Sequence, residues 1–117
     1  MNPLAKYAGI AYEYRTYNCW HHVRAVRADA GLKTPEFDCV SPDCEYGIFE
    51  LGRETKAMWQ LETPQNYCAV LMHNNDGWHS GIYCDGYVSH CDRNAKQVRL
   101  DSLAALTKRC DIVEFWN

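Results

Sequence analysis

Asp85-Gly86, set between two runs of strand-forming residues, constrains this chain more than any other feature. The central positions of a two-residue hairpin turn need left-handed backbone, which aspartate and glycine accept at low cost. The runs Gly77 to Cys84 and Gly86 to Cys91 are therefore expected to pair antiparallel. Side chains alternate across a strand, so Gly81, Tyr83 and Asp85 share the face of His79, and the returning arm brings His90 back toward His79. A chain with this hairpin is committed to an antiparallel sheet.

Further strands are expected at Tyr67 to His73, near Gln97 to Leu100, and at Asp111 to Trp116. Helices precede them. Asn18 is a good N-cap, Cys19, Val23, Val26 and Ala30 fall on one helical face, Gly31 can stop the helix, and Pro35 follows. Asn2-Pro3 opens a short helix reaching about Gly9, which delivers Tyr12. Between Glu45 and Leu61 the apolar residues Ile48, Leu51, Met58 and Leu61 suggest a helix interrupted by Gly47 and Gly52. Asp101-Ser102 caps a short helix over Leu103-Ala104-Ala105-Leu106. Helices first and then an antiparallel sheet is an α+β layout. With 117 residues, 47% of them hydrophobic, the chain buries one core, so residues 1–117 are expected to form a single domain.

The chemistry lies where the first long helix begins. A thiolate attacks carbonyl carbon and a thiol does not, so a nucleophilic cysteine needs a lowered pKa and a base within reach. Cys19 sits in the first turn after Asn18, where unpaired backbone N–H groups and the helix dipole favour negative charge. Two neighbouring strands, carrying His79 and His90, can then present one imidazole as base and the second as its orienting partner.

The segments Gly9-Ile10-Ala11-Tyr12, Asn18-Cys19-Trp20-His21-His22-Val23-Arg24, His79-Ser80-Gly81-Ile82-Tyr83 and Tyr87-Val88-Ser89-His90 carry a resemblance. In this order they are similar to the successive motifs of the NlpC-type cell-wall cysteine peptidases, particularly the short versions associated with bacteriophage tails. The resemblance covers nearly the whole chain. It implies a papain-like α+β fold, with N-terminal helices packed on an antiparallel sheet, and hydrolysis of peptide bonds in peptidoglycan stem peptides. It also implies that Cys19 is the nucleophile, His79 the general base and His90 its orienting partner. The backbone N–H of Cys19 and the hydroxyl of Tyr12 would form the oxyanion site. Trp20 and Trp78 adjoin Cys19 and His79 in sequence; core packing is the ordinary role of such rings, and either could instead wall the groove. The chain departs from the family pattern at Asn18, where aspartate is usual. It departs again at Glu13-Tyr14-Arg15-Thr16-Tyr17, which lacks a usual glycine pair, and at His21-His22, where small residues are usual.

A formal net charge of -3 and no basic block leave no electrostatic footprint for nucleic acid or an anionic membrane. The expected partners are peptidoglycan peptides and, by the resemblance, phage tail proteins. No apolar run approaches the roughly 18 residues of a membrane-spanning helix. The N-terminal residues Met1 to Tyr7 lack the basic and apolar regions of a secretory signal. Synthesis in the cytoplasm is expected, followed by assembly into a tail or release to the cell wall.

Seven cysteines is an odd count, so at least one is outside any intramolecular disulfide, and reduced thiols are the simplest state. Cys39 and Cys44 have a spacing that a zinc loop can use, with Cys84, Cys91, His79 or His90 to complete a site. There is no second close cysteine pair, however, so no metal and no cofactor are expected. Cys68, Cys84 and Cys110 are expected as core fillers on strands. His21 and His22 are expected on the helix surface, His73 at a solvated turn, and Arg24 and Arg27 facing solvent or a substrate carboxylate. Two other functions fit the same fold: a non-catalytic tail or assembly module, and an acyltransferase using the same thiol.

Overall fold

In the computed structural model, which describes residues 1–35 and 58–117, local chemistry fixes both ends of the first long helix. Helix α1 (Cys19–Asp29) starts at Asn18, whose Oδ1 accepts hydrogen bonds from the Trp20 N–H at 3.1 Å and the His21 N–H at 3.2 Å. His21 Nδ1 in turn accepts from the Asn18 N–H at 3.2 Å, so a histidine closes the reciprocal cap that glutamate usually closes. At the other end Gly31, at φ 77°, donates to the Ala28 carbonyl at 3.0 Å, and Leu32 donates to Arg27 at 2.8 Å. Only glycine takes this left-handed position without strain, and the paired bonds satisfy carbonyls that the helix end leaves open.

Six strands follow among the described residues: β1 (Gln60–Leu61), β2 (Ala69–Asn74), β3 (Gly77–Cys84), β4 (Tyr87–Asp92), β5 (Gln97–Ser102) and β6 (Ile112–Trp116). They form one antiparallel sheet in the order β1-β6-β2-β3-β4-β5. Asp85 at φ 49° and Gly86 at φ 88° make the expected turn between β3 and β4. Helix α2 (Leu103–Arg109) begins at Ser102, whose Oγ accepts from the Ala105 N–H at 3.1 Å. The protein is thus an α+β fold with an N-terminal helix packed on a six-stranded antiparallel sheet.

The period-two register divides the sheet into two apolar faces. Ala69, Leu71, Ile82, Cys84 and Trp116 meet Leu4, Trp20, Val23 and Val26 from the N-terminal side. Val70, Met72 and Val88 meet Leu103 and Leu106 of α2 on the other. Each fully buried aliphatic or aromatic side chain here stabilises the fold by roughly 1.5–3 kcal/mol. Gly81 is required by packing: a Cβ there would stand 2.6 Å from Val88 Cγ1 and 3.0 Å from the Ser89 carbonyl.

Several expectations are corrected. The first helix is a 3-10 segment, Pro3–Tyr7, because the chain turns at Gly9 to run along the outer edge of β5. There the Gly9 N–H donates to Val98 at 2.9 Å and the Tyr12 N–H donates to Lys96 at 3.0 Å. Ala30 is exposed because it is already the C-cap of α1, and Arg27 is buried in its place. Arg27 does not face solvent: it binds the Tyr67 carbonyl at 2.6 Å, Thr34 Oγ1 at 2.8 Å and Asn117 Oδ1 at 2.9 Å. His22 is fully buried rather than on the helix surface. Its Nδ1 meets the Tyr17 hydroxyl and its Nε2 the Ser89 hydroxyl, both at 2.8 Å, so both ring nitrogens are satisfied inside the core. His73 lies in β2, paired with Asp111 at 2.9 Å. Most of the helix expected from Glu45 to Leu61, like Cys39 and Cys44, lies outside the described residues. Its last two residues, Gln60 and Leu61, are strand β1 against β6. Cys68 and Cys84 are buried fillers, whereas Cys110 is the half-buried C-cap of α2. Among the described residues no helix is long and apolar enough to cross a membrane.

Candidate active site

The hairpin that organises the sheet also opens it. β3 and β4 pair from Cys84 with Tyr87 only as far as Ile82 with Ser89, although β3 reaches back to Gly77 and β4 runs on to Asp92. Helix α1 packs on both strands, and Cys19, in its first turn, meets His79 and Ser80. A rigid helix terminus thereby presents the thiol to an imidazole fixed by cross-strand pairing with Met72.

From the thiol a line of side chains runs across three strands. The Cys19 thiol and the His79 imidazole are hydrogen-bonded. His79 Nε2 lies 2.9 Å from His90 Nδ1, which leaves His79 Nδ1 as the nitrogen for the sulfur. His90 Nε2 lies 2.7 Å from Asp101 Oδ2 on β5. Asp101 has Arg99 at 3.4 Å and Arg109 of α2 at 3.9 Å.

Burial raises the Cys19 pKa, but the hydrogen bond and positive charge of His79 and hydrogen bonding to Ser80 outweigh it, and the thiol is lowered to about 7. For His79, burial works against the charged ring, while the hydrogen bond and negative charge of Cys19 and the nearby Asp92 raise its pKa. His90 goes the other way, down to about 4, through burial and the charge of His79, with Asp101 only partly compensating. Two of the described cysteines illustrate the contrast: Cys91 is fully buried and pushed up to about 12, and burial also raises Cys68.

These groups open onto a cleft of about 320 Å³. Cys19, His79, His90, Asp101, Tyr12 and Trp78 line it, and its rim carries Asp76, Asp92, Arg93, Arg99 and Arg109. Such a cavity, with convergent polar groups and perturbed thiol and imidazole pKa values, has the physical marks of a reactive site. The Tyr12 hydroxyl is buried and has no hydrogen-bond partner among the described residues. Its segment is held to the edge of β5 by backbone hydrogen bonds, which brings the ring to the cleft.

Of the residues singled out from sequence, Cys19, His79, His90, Tyr12 and Trp78 come together. Trp20 does not join them. It is 2% exposed, packed with Val23, Met58, Ala69, Leu71 and Trp116, and its indole N–H donates to the Pro35 carbonyl at 3.1 Å. The residue that sequence reasoning missed is Asp101, read only as part of a helix start. β5 continues through Ser102, and alternation then places Asp101 on the same face as Arg99, the residue opposite His90. Among the described residues no group of three or more His, Cys, Asp or Glu side chains is disposed to hold a metal ion. No protein-family model matches the chain, and none of the curated proteins matches it.

Proposed function

We propose that this protein is a thiol hydrolase of the NlpC-like, papain-fold type that cleaves peptide bonds of peptidoglycan stem peptides and is carried on a phage or prophage tail. The observation that carries this reading is the hydrogen-bonded line Cys19, His79, His90 at the cleft, with a thiol lowered to about 7. The order and content of the motifs from Gly9 to His90 support the family, and a cysteine at the start of a helix packed on histidine-bearing antiparallel strands fits its papain-like plan.

In the proposed mechanism the Cys19 thiolate attacks the scissile carbonyl carbon, and the carbonyl electron pair moves to oxygen. The oxyanion faces the backbone N–H of Cys19, which has no partner within the helix at this position, and the Tyr12 hydroxyl. Collapse breaks the C–N bond, and the amine leaves with the proton held at His79. Water, losing a proton to His79, then attacks the thioester, the new acid departs and the thiol is restored. Trp78 walls the groove.

The test is digestion of defined muropeptides read by mass spectrometry, with Cys19→Ala as the control. New peptide termini that vanish in Cys19→Ala support the hydrolase. Transfer of the acyl group to an added amine would replace hydrolysis by acyl transfer, and absence of both reactions would leave a non-catalytic tail module.

A further inference from the structure

We infer that Asp101 is a positioning residue that fixes the protons of both imidazoles, so that the ring nitrogen of His79 facing Cys19 is the one free to accept a proton. This inference rests on the thiol-hydrolase reading of the same site.

Asp101 is held in its carboxylate form: burial opposes this, but the hydrogen bond from His90 and the charges of Arg99 and Arg109 keep its pKa below the usual range. A carboxylate only accepts, so at 2.7 Å the proton on His90 must be at Nε2. A neutral imidazole carries one proton, and His90 is only 5% exposed in a site that disfavours its charge. His90 Nδ1 is therefore an acceptor, and the 2.9 Å contact requires an N–H at His79 Nε2. Neutral His79 then has its lone pair at Nδ1, directed at the thiol. When His79 is charged, its Nε2–H still has an acceptor and its Nδ1–H faces the thiolate. Both states of the reaction use the same arrangement of His90 and Asp101.

Without Asp101, His90 is free to carry its proton at Nδ1. Two N–H groups would then oppose each other unless His79 moved its own proton to Nδ1, which is the wrong form for a base. The other charged groups around the line are Asp92 at the end of β4, Arg93 after it, Arg99 on β5 and Arg109 on α2. The contact at His90 Nε2 is the 2.7 Å one to Asp101. The two arginines beside Asp101 steady its carboxylate, at 3.4 and 3.9 Å.

The first experiment needs no substrate and no variant. Nitrogen-15 NMR of the histidine rings in the wild-type protein should show His90 as the neutral Nε2–H form from pH 6 to 8, and an Nε2–H on His79 throughout. A His90 proton at Nδ1 would overturn the inference. In the second, the pH dependence of Cys19 alkylation by iodoacetamide is compared among wild type, Asp101→Asn and Asp101→Ala. Asp101→Ala should alkylate about tenfold more slowly near neutral pH with its midpoint moved up, and Asp101→Asn, which keeps a carbonyl acceptor, should restore most of the rate. On a cleaved substrate the same loss should fall on kcat and leave KM nearly unchanged. Folded Asp101→Ala with the wild-type alkylation profile would overturn the inference. Because alkylation is independent of peptide cleavage, failure of the hydrolase reading shows in the muropeptide digest, and failure of the Asp101 role shows here.

Discussion

His79 Nε2 and His90 Nδ1 stand 2.9 Å apart with their rings at 79°, so the two imidazoles share one hydrogen bond and cannot both be comfortably charged. The proton goes to His79, whose partner is a thiol that becomes an anion, and His90 stays neutral with its pKa at about 4. The pair therefore has distinct roles although both members are histidines.

That asymmetry predicts unequal mutants. His79→Ala removes the base and should lower kcat by at least about a thousandfold, within the upper range of general-base contributions. His90→Gln retains a polar group beside His79 and should lose only about 10- to 100-fold. The rate should rise through about 7 as Cys19 loses its proton, and the His79 imidazolium should persist to higher pH than that of an ordinary histidine, because Cys19 and Asp92 raise its pKa. Steady-state rates across pH 5 to 10 measure this profile, and wild-type kcat in His79→Ala would refute the assignment of the base.

The cysteines should differ in reactivity for the same electrostatic reason. Cys19 is half-buried and lowered to about 7, whereas Cys68, Cys84 and Cys91 are buried with raised pKa values, and burial also raises half-buried Cys110. Limited iodoacetamide treatment of the native protein followed by peptide mapping should label Cys19 ahead of those four. Equal labelling of Cys19 and Cys110 would mean that its thiolate is not stabilised.

The hairpin, α1 and the order of the later strands were legible because each rests on local chemistry: the Asp85-Gly86 turn, the Asn18 cap, the Gly31 stop and the runs of strand-forming residues bounded by turn residues. The convergence of His79 and His90 follows from that hairpin. What sequence could not give were choices made by tertiary contact. His22 carries a polar ring that propensity assigns to the surface, yet the Tyr17 and Ser89 hydroxyls satisfy both of its nitrogens and let it fill the core. Trp20 lies beside the nucleophile in sequence, but the next residue along a helix points about 100° away, so it enters the core instead. Asp101 was hidden because the end of β5 and the start of α2 compete for the same residues, and only sheet pairing decides between them.

The buried His22 predicts an acid limb in stability. Burial, with the charges of His90 and His79, lowers its pKa from the ordinary 6.5 to about 4, so the unfolded chain binds the proton first as pH falls. Its effect is absent above pH 6.5 and grows into a loss on the order of 3 kcal/mol by pH 4. Thermal unfolding from pH 7 to 4 should show Tm falling, and His22→Gln, less stable at pH 7, should fall less steeply. Parallel curves for the two proteins would assign the acid sensitivity elsewhere.

Tyr12 predicts the opposite balance between stability and activity. Its hydroxyl is buried with no partner among the described residues, which costs about 1–3 kcal/mol when nothing compensates. Removing it in Tyr12→Phe should therefore leave Tm unchanged or raise it, since the ring and the backbone bond to Lys96 remain. If the hydroxyl donates to the oxyanion, the same change should lower kcat about 10- to 100-fold with little effect on KM, because the interaction is made only as charge develops on the carbonyl oxygen. Alkylation of Cys19 by iodoacetamide, which passes through no oxyanion, should keep its wild-type rate in Tyr12→Phe. A parallel loss of alkylation and turnover would show that Tyr12 acts by supporting the thiolate, and unchanged kcat would remove it from the oxyanion site.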